Sequence, residues 1–80
     1  VLVGISTSGN SMNVVNALKK AKELGLTTIG FTGSQGGKMN SICDIMIKVP
    51  SDDTPRVQEV HILVGHIICK IIEKEMFPDA

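Results

Sequence analysis

The residues best equipped for chemistry lie in a hydroxyl-rich loop and on a long helix. The loop reads Gly4-Ile5-Ser6-Thr7-Ser8-Gly9-Asn10-Ser11, with hydroxyls on Ser6, Thr7, Ser8 and Ser11 and no lysine. Hydroxyls bind a phosphate by hydrogen bonding, and the open amides and partial positive charge of a helix N-terminus add to the attraction. Gly9 keeps a Cβ out of the way of a close ligand. The string is not a Walker loop, because GxxxxGK followed by Ser or Thr is absent, and it is not GxGxxG. A cradle of hydroxyls without lysine suits a sugar phosphate better than a nucleoside triphosphate, which recruits a metal and a cation. The same string also suits an ordinary Ser/Gly turn in which Asn10 or Ser11 caps the helix. The phosphate reading requires residues 6 to 11 to be accessible, with amides left over.

The helix carries His61 and His66. Histidine titrates close to neutrality, which suits proton transfer and metal ligation. In a largely apolar helix, either one equally reads as a core or interface histidine with one satisfied hydrogen bond. Cys69 follows His66 by one turn, but a His–Cys pair falls short of the three or four ligands a zinc site takes.

The elements that must hold these residues alternate strand and helix. Val1 to Ile5 is a continuous apolar run, as in a strand buried on both faces. Thr27 to Thr32 and Ile45 to Val49 are two more strands, the last ending at Pro50. Between the first two, an amphipathic helix is predicted over about Ser11 to Leu24, with Val14, Leu18 and Ala21 on one face. Gly25 ends it in the left-handed conformation, and Leu26 can fold apolar surface back beyond it. Strand, helix, strand of these lengths implies a right-handed crossover. Gly33 to Gly37 is a flexible loop before a short helical turn near Lys38 to Ile42. Ser51-Asp52-Asp53-Thr54-Pro55 starts a second helix, through capping side chains and an early proline. That helix runs from about Pro55 to Met76, and Pro78 bars its continuation. It is apolar nearly all round, so it must be covered on several sides. Asp44 is a candidate cap where a strand begins. The lysines at 19, 20 and 22 read as a solvated helix face, and the four methionines as gap-filling residues.

Composition sets the frame. Eighty residues support one small core, which is marginal alone without a staple, a metal or a partner subunit. Net charge is zero, giving no reason to expect nucleic acid or an anionic membrane as partner. No apolar run is long enough to span a bilayer and no secretory signal pattern is visible. Cys43 and Cys69 form no disulfide framework and read as reduced thiols of a cytoplasmic protein. Val1 stands inside an apolar run without an initiator methionine, so residues 1–80 are expected to be part of a larger single domain. Phe77 to Ala80 read as the end of that fold.

The loop GISTSGNS followed by a helix resembles the signature of SIS (sugar isomerase) domains. With AKELG, TIGFTG, GGKM, the VPS segment and RVQEVHILVGH, nearly the whole chain resembles the C-terminal part of the phosphoheptose isomerase family. The resemblance implies an α/β fold of the SIS type, a three-layer αβα arrangement on a flavodoxin-like parallel sheet. Only its C-terminal half is present: three strands, a crossover helix and a long last helix. It implies an aldose–ketose isomerase converting sedoheptulose 7-phosphate to a manno-heptose 7-phosphate through a cis-enediol, for heptose in bacterial surface glycans. By the same carry-over, Ser6, Thr7, Ser8 and Ser11 bind the substrate phosphate. Gln58 and His66 line the active site and ligate a zinc ion, and His66 also transfers a proton. Residues eight apart on a helix differ by about 12 Å of rise and about 80° of rotation. Gln58 and His66 therefore share one metal only if it sits between them, past Ile62, or if they come from different subunits. His61 is assigned a structural role. The family's other His and Glu fall outside this sequence, so these residues alone are expected to be inactive. The resemblance further implies a homotetramer with sites at subunit interfaces. The rival readings are a non-catalytic adaptor that binds the bacterial replication initiator, against which His66 counts, and a sugar-phosphate sensor in a regulator.

Overall fold

Three short runs of apolar and β-branched residues form the sheet, and the segments between them fold back over its faces. The computed structural model describes residues 1–79; Ala80, the last residue of the expected fold end, lies outside the described residues. In chain order the elements are β1 (Leu2–Ile5), α1 (Met12–Glu23), β2 (Thr28–Thr32), a 3-10 turn (Gly37–Ser41), β3 (Ile45–Lys48) and α2 (Thr54–Met76). The sheet is parallel in the order β1-β2-β3, pairing Gly4 with Gly30 and Gly30 with Met46. The expected α/β architecture is therefore present.

Strand residues alternate between faces. Leu2, Gly4, Thr28, Gly30 and Met46 turn toward α1 and the 3-10 turn. A Cβ on Gly4 would press on Leu18 and Val14, and one on Gly30 would press on Cys43, Met39 and Met46. The two glycines let helix and turn approach the sheet closely. The core on this face is Val15, Leu18 and Met39, all fully buried. Leu18 and Ala21 lie inward as expected, whereas Val15 is fully buried beside them and Val14 only half-buried. The end of α1 closes as a Schellman motif: Gly25 N–H donates to the Lys22 carbonyl and Leu26 N–H to that of Ala21. Gly25 has φ +78°, but Leu26 remains exposed.

Val3, Ile5, Ile29 and Phe31 turn toward α2, so the three layers are α1, sheet, α2. α2 begins without a side-chain cap at Asp53; the capping geometry expected there is replaced by Ser51, whose Oγ accepts from the Asp53 amide at 3.1 Å. Pro55 occupies the first turn. Only Val57 and His61 of α2 are buried. Asp44 does act where a strand begins, across the sheet: its Oδ2 accepts from the Thr28 amide at 2.9 Å and from Thr28 Oγ1 at 3.2 Å.

Candidate functional site

In a parallel sheet every strand ends on the same edge, so the loops that follow β1, β2 and β3 gather there. They enclose a polar hollow of about 550 Å³ lined by Thr7, Ser8 and Asn10, by Gly33 to Gln35, and by Ser51, Asp52 and Thr54. The loops are tied to one another by backbone bonds. Gly33 N–H donates to the Thr7 carbonyl at 2.9 Å, Met39 N–H to that of Gly9 at 3.2 Å, and Ser34 N–H to that of Ser51 at 3.4 Å. Asn10 Oδ1 accepts from the Lys38 amide at 2.9 Å.

The loop after β1 spends some of its amides and keeps others. Ser6 and Gly9 are buried, and their N–H groups donate to the carbonyls of Phe31 and Ser6. Asn10 and Ser11 donate to Ser8 Oγ and Ser6 Oγ. The amides of Thr7, Ser8, Met12, Asn13 and Val14 find no acceptor among the described residues, which leaves a strand-to-helix turn able to receive an anion. Ser8 and Ser11 are exposed and Thr7 is half-buried; the Ser6 hydroxyl, which accepts from Ser11, still has its proton to donate. Gly9 answers to a different neighbour than expected. At φ +73° its missing Cβ would overlap the Gly36 carbonyl, so glycine is required by the neighbouring loop and not by a ligand. Asp52, on the rim, accepts from Ser34 Oγ and is the carboxylate that an incoming anion would meet.

Gln58 and His66 lie elsewhere. Both are exposed on α2 and line an apolar groove of about 620 Å³, together with Val3, Ile5, Phe31 and Ile62. Neither lines the polar hollow. Ile62 does stand in the groove between them, and Cys69 lines it as well. Among the described residues no three His, Cys, Asp or Glu side chains gather as a metal site. His61 is buried, with Nε2 2.9 Å from the Thr32 carbonyl and its ring 5.6 Å from that of Phe31. Burial, helped by Asp44, pushes the Cys43 thiol up, which makes it a poor nucleophile.

A SIS domain profile matches residues 1–33. The chain is 64% identical over 77 residues to a phosphoheptose isomerase of Clostridium acetobutylicum, covering 96% of this chain and 39% of that protein. It is 64% identical over 76 residues to one of Aliarcobacter butzleri, covering 95% and 40%. Its fold superposes on the phosphoheptose isomerase of Neisseria gonorrhoeae with a TM-score of 0.85 at 47% identity, covering 89% of this chain and 41% of that one. Nearly the whole chain is homologous to phosphoheptose isomerases. The likeness extends to the Francisella tularensis member, with a TM-score of 0.87 at 38% identity, covering 91% and 41%. The chain spans about two fifths of the length of the curated phosphoheptose isomerases it matches.

The sequence reading missed Ser34, Gln35, Ser51, Asp52 and Thr54 as walls of the hollow. The signal was available: they follow the second and third strands, which a parallel sheet brings to the same edge as the first.

Proposed function

We propose that the full protein carrying this chain is an aldose–ketose isomerase acting on sedoheptulose 7-phosphate to give D-glycero-D-manno-heptose 7-phosphate, and that these residues form the C-terminal portion of its single domain. The observation that carries the reading is the turn after β1, where unspent amides and serine hydroxyls meet at the sheet edge of a phosphoheptose isomerase relative. Ser6, Thr7, Ser8 and Ser11 hold the phosphate, which positions the sugar carbons at the far end. The reaction moves a proton between C1 and C2 through a cis-enediol. It needs a base for the carbon-bound proton and an acid for the carbonyl oxygen. His66 takes one of these roles, and a group outside these residues takes the other.

Gln58 and His66 supply two donors, short of the three or four that zinc takes, so a metal held here draws its other ligands from outside these residues. Bound there, zinc would polarise the substrate oxygens. Since Gln58 and His66 do not line the phosphate hollow, one substrate spans both only by reaching along α2 or by taking His66 from a second subunit. The exposed apolar surface of α2 suits a homotetramer with sites at its interfaces. A cytoplasmic setting fits the two free cysteines.

The test is turnover of sedoheptulose 7-phosphate by the full-length protein. His66→Ala should lower kcat by about 10²- to 10⁴-fold, the range of a general acid–base group, while phosphate-ligand affinity persists. Unchanged turnover would reject the role of His66, and an initiator protein captured equally well by the variant would favour the adaptor.

A further inference from the structure

His61 lies one hydrogen bond from the sheet and two peptide planes from the open Ser8 amide. The residue is 3% exposed, and its Nε2 is 2.9 Å from the Thr32 carbonyl. A carbonyl only accepts, so Nε2 is the donor; Nδ1 is buried without a partner among the described residues. The Thr32 carbonyl also accepts from the Val49 amide at 3.0 Å. That carbonyl and the Gly33 N–H belong to one planar trans peptide and point in opposite directions. The Gly33 N–H donates to the Thr7 carbonyl at 2.9 Å. The Thr7 carbonyl in turn shares a peptide plane with the Ser8 N–H, which is unspent.

We infer that His61 is a positioning residue for the phosphate turn, acting through the Thr32–Gly33 and Thr7–Ser8 peptides to aim the Ser8 amide at the anion. The inference rests on the phosphate reading of the turn. Two features make the link mechanical. Neither peptide can rotate without breaking a bond, since Thr32 is held by His61 and Val49 together. A Cβ on Gly33 would lie 3.0 Å from the Thr7 carbonyl and 3.2 Å from that of Ser51, so the space around the junction is filled. Hydrogen bonds in a row also polarise one another, and an anion on the Ser8 N–H strengthens the bonds behind it. Gly65 and His66 lie farther along α2 and take no part in this row.

The experiment is titration of the full-length protein with inorganic phosphate, followed by calorimetry and by amide and imidazole NMR signals. His61→Gln retains a donor near the Nε2 position, whereas His61→Leu removes it. The Gln variant should bind within about twofold of the parent and the Leu variant about three- to tenfold more weakly, the span of one lost net hydrogen bond. Equal affinity in all three, or a Gln variant as weak as Leu, overturns the inference. Should the Leu variant fail to fold, the parent decides: saturating phosphate should shift the His61 Nε2–H signal together with the Ser8 amide. A Ser8 shift with His61 unmoved overturns it. A parent whose Ser8 amide ignores phosphate instead removes the phosphate reading itself.

Discussion

The two faces of one sheet are finished to different degrees. On the α1 side, Val15, Leu18 and Met39 have no exposed surface. On the α2 side, Ile5 keeps 55% of its surface exposed, and on the helix Ile62 and Leu63 keep 61% and 58%. α1 is apolar along one face and α2 nearly all round, and their lengths differ as well. α1 has 12 residues, about 18 Å, close to the depth of strands of 4 or 5 residues. α2 has 23 residues, about 35 Å, and overruns the sheet about twofold. The α1 face is what this chain completes for itself, while the α2 face carries apolar surface that this chain leaves exposed.

The largest expected effect tests that contrast directly. In urea unfolding of the 80-residue chain, Leu18→Ala should cost about 2–5 kcal/mol, as for a packed core leucine. Leu63→Ala should cost less than about 0.5 kcal/mol, as for a surface site. In the full-length protein the Leu63 variant should move toward the core value while Leu18 stays put. Equal costs in the short chain would break the comparison.

A smaller effect sharpens it along α1, between the turn after β1 and the far end of the helix. Gly9 and Gly25 share a left-handed φ, +73° and +78°, but a Cβ meets the Gly36 carbonyl at Gly9 and open space at Gly25. Gly25→Ala should cost about 1–2 kcal/mol from backbone conformation alone. Gly9→Ala adds a collision between loops, so its loss in thermal or urea unfolding should exceed that of Gly25→Ala. It should also weaken phosphate binding. Matching losses would mean that the Gly9–Gly36 approach is unimportant.

Much of this was legible in the sequence, for local reasons. The βαβ order, the limits of α1 and α2 and the left-handed Gly25 follow from periodicity and capping chemistry within a few residues. So did the character of Ser6 to Ser11 as a strand-to-helix turn. The role of Gly9 was not legible, because its crowding comes from Gly36, a contact across 27 positions. The Ser51 hydroxyl accepts from the Asp53 amide only two positions on, a local contact that was overlooked because Asp53's own type suggested that it would cap. The separation of Gln58 and His66 from the polar hollow was half visible: helical geometry gave their spacing from each other, but only the packing of α2 across Phe31 set which cavity they line.

The smallest effect concerns the edge of the sheet opposite the turn. Asp44 joins the start of β2 to the start of β3, and its carboxyl is held below the usual carboxylate range. The Thr28 amide is the main cause; burial opposes it, and the Thr28 hydroxyl and Lys22 assist. A carboxyl with a lowered folded pKa favours the folded state above its unfolded pKa of about 3.9, and that contribution fades as pH falls through the folded value. Stability of the chain should therefore decline below about pH 4, and Asp44→Asn, whose neutral amide stands in for the protonated acid, should remove part of that slope by lowering stability modestly at neutral pH, with parent and variant converging in acid. Lys22 is 3.8 Å away with both side chains nearly half exposed, so added salt should alter the slope little. If the slope persists in Asp44→Asn, it comes from other carboxyls. If acid instead perturbs the Ser8 and Gly9 amides first, the two edges of the sheet are coupled, and the α1 face is less self-contained than its burial implies.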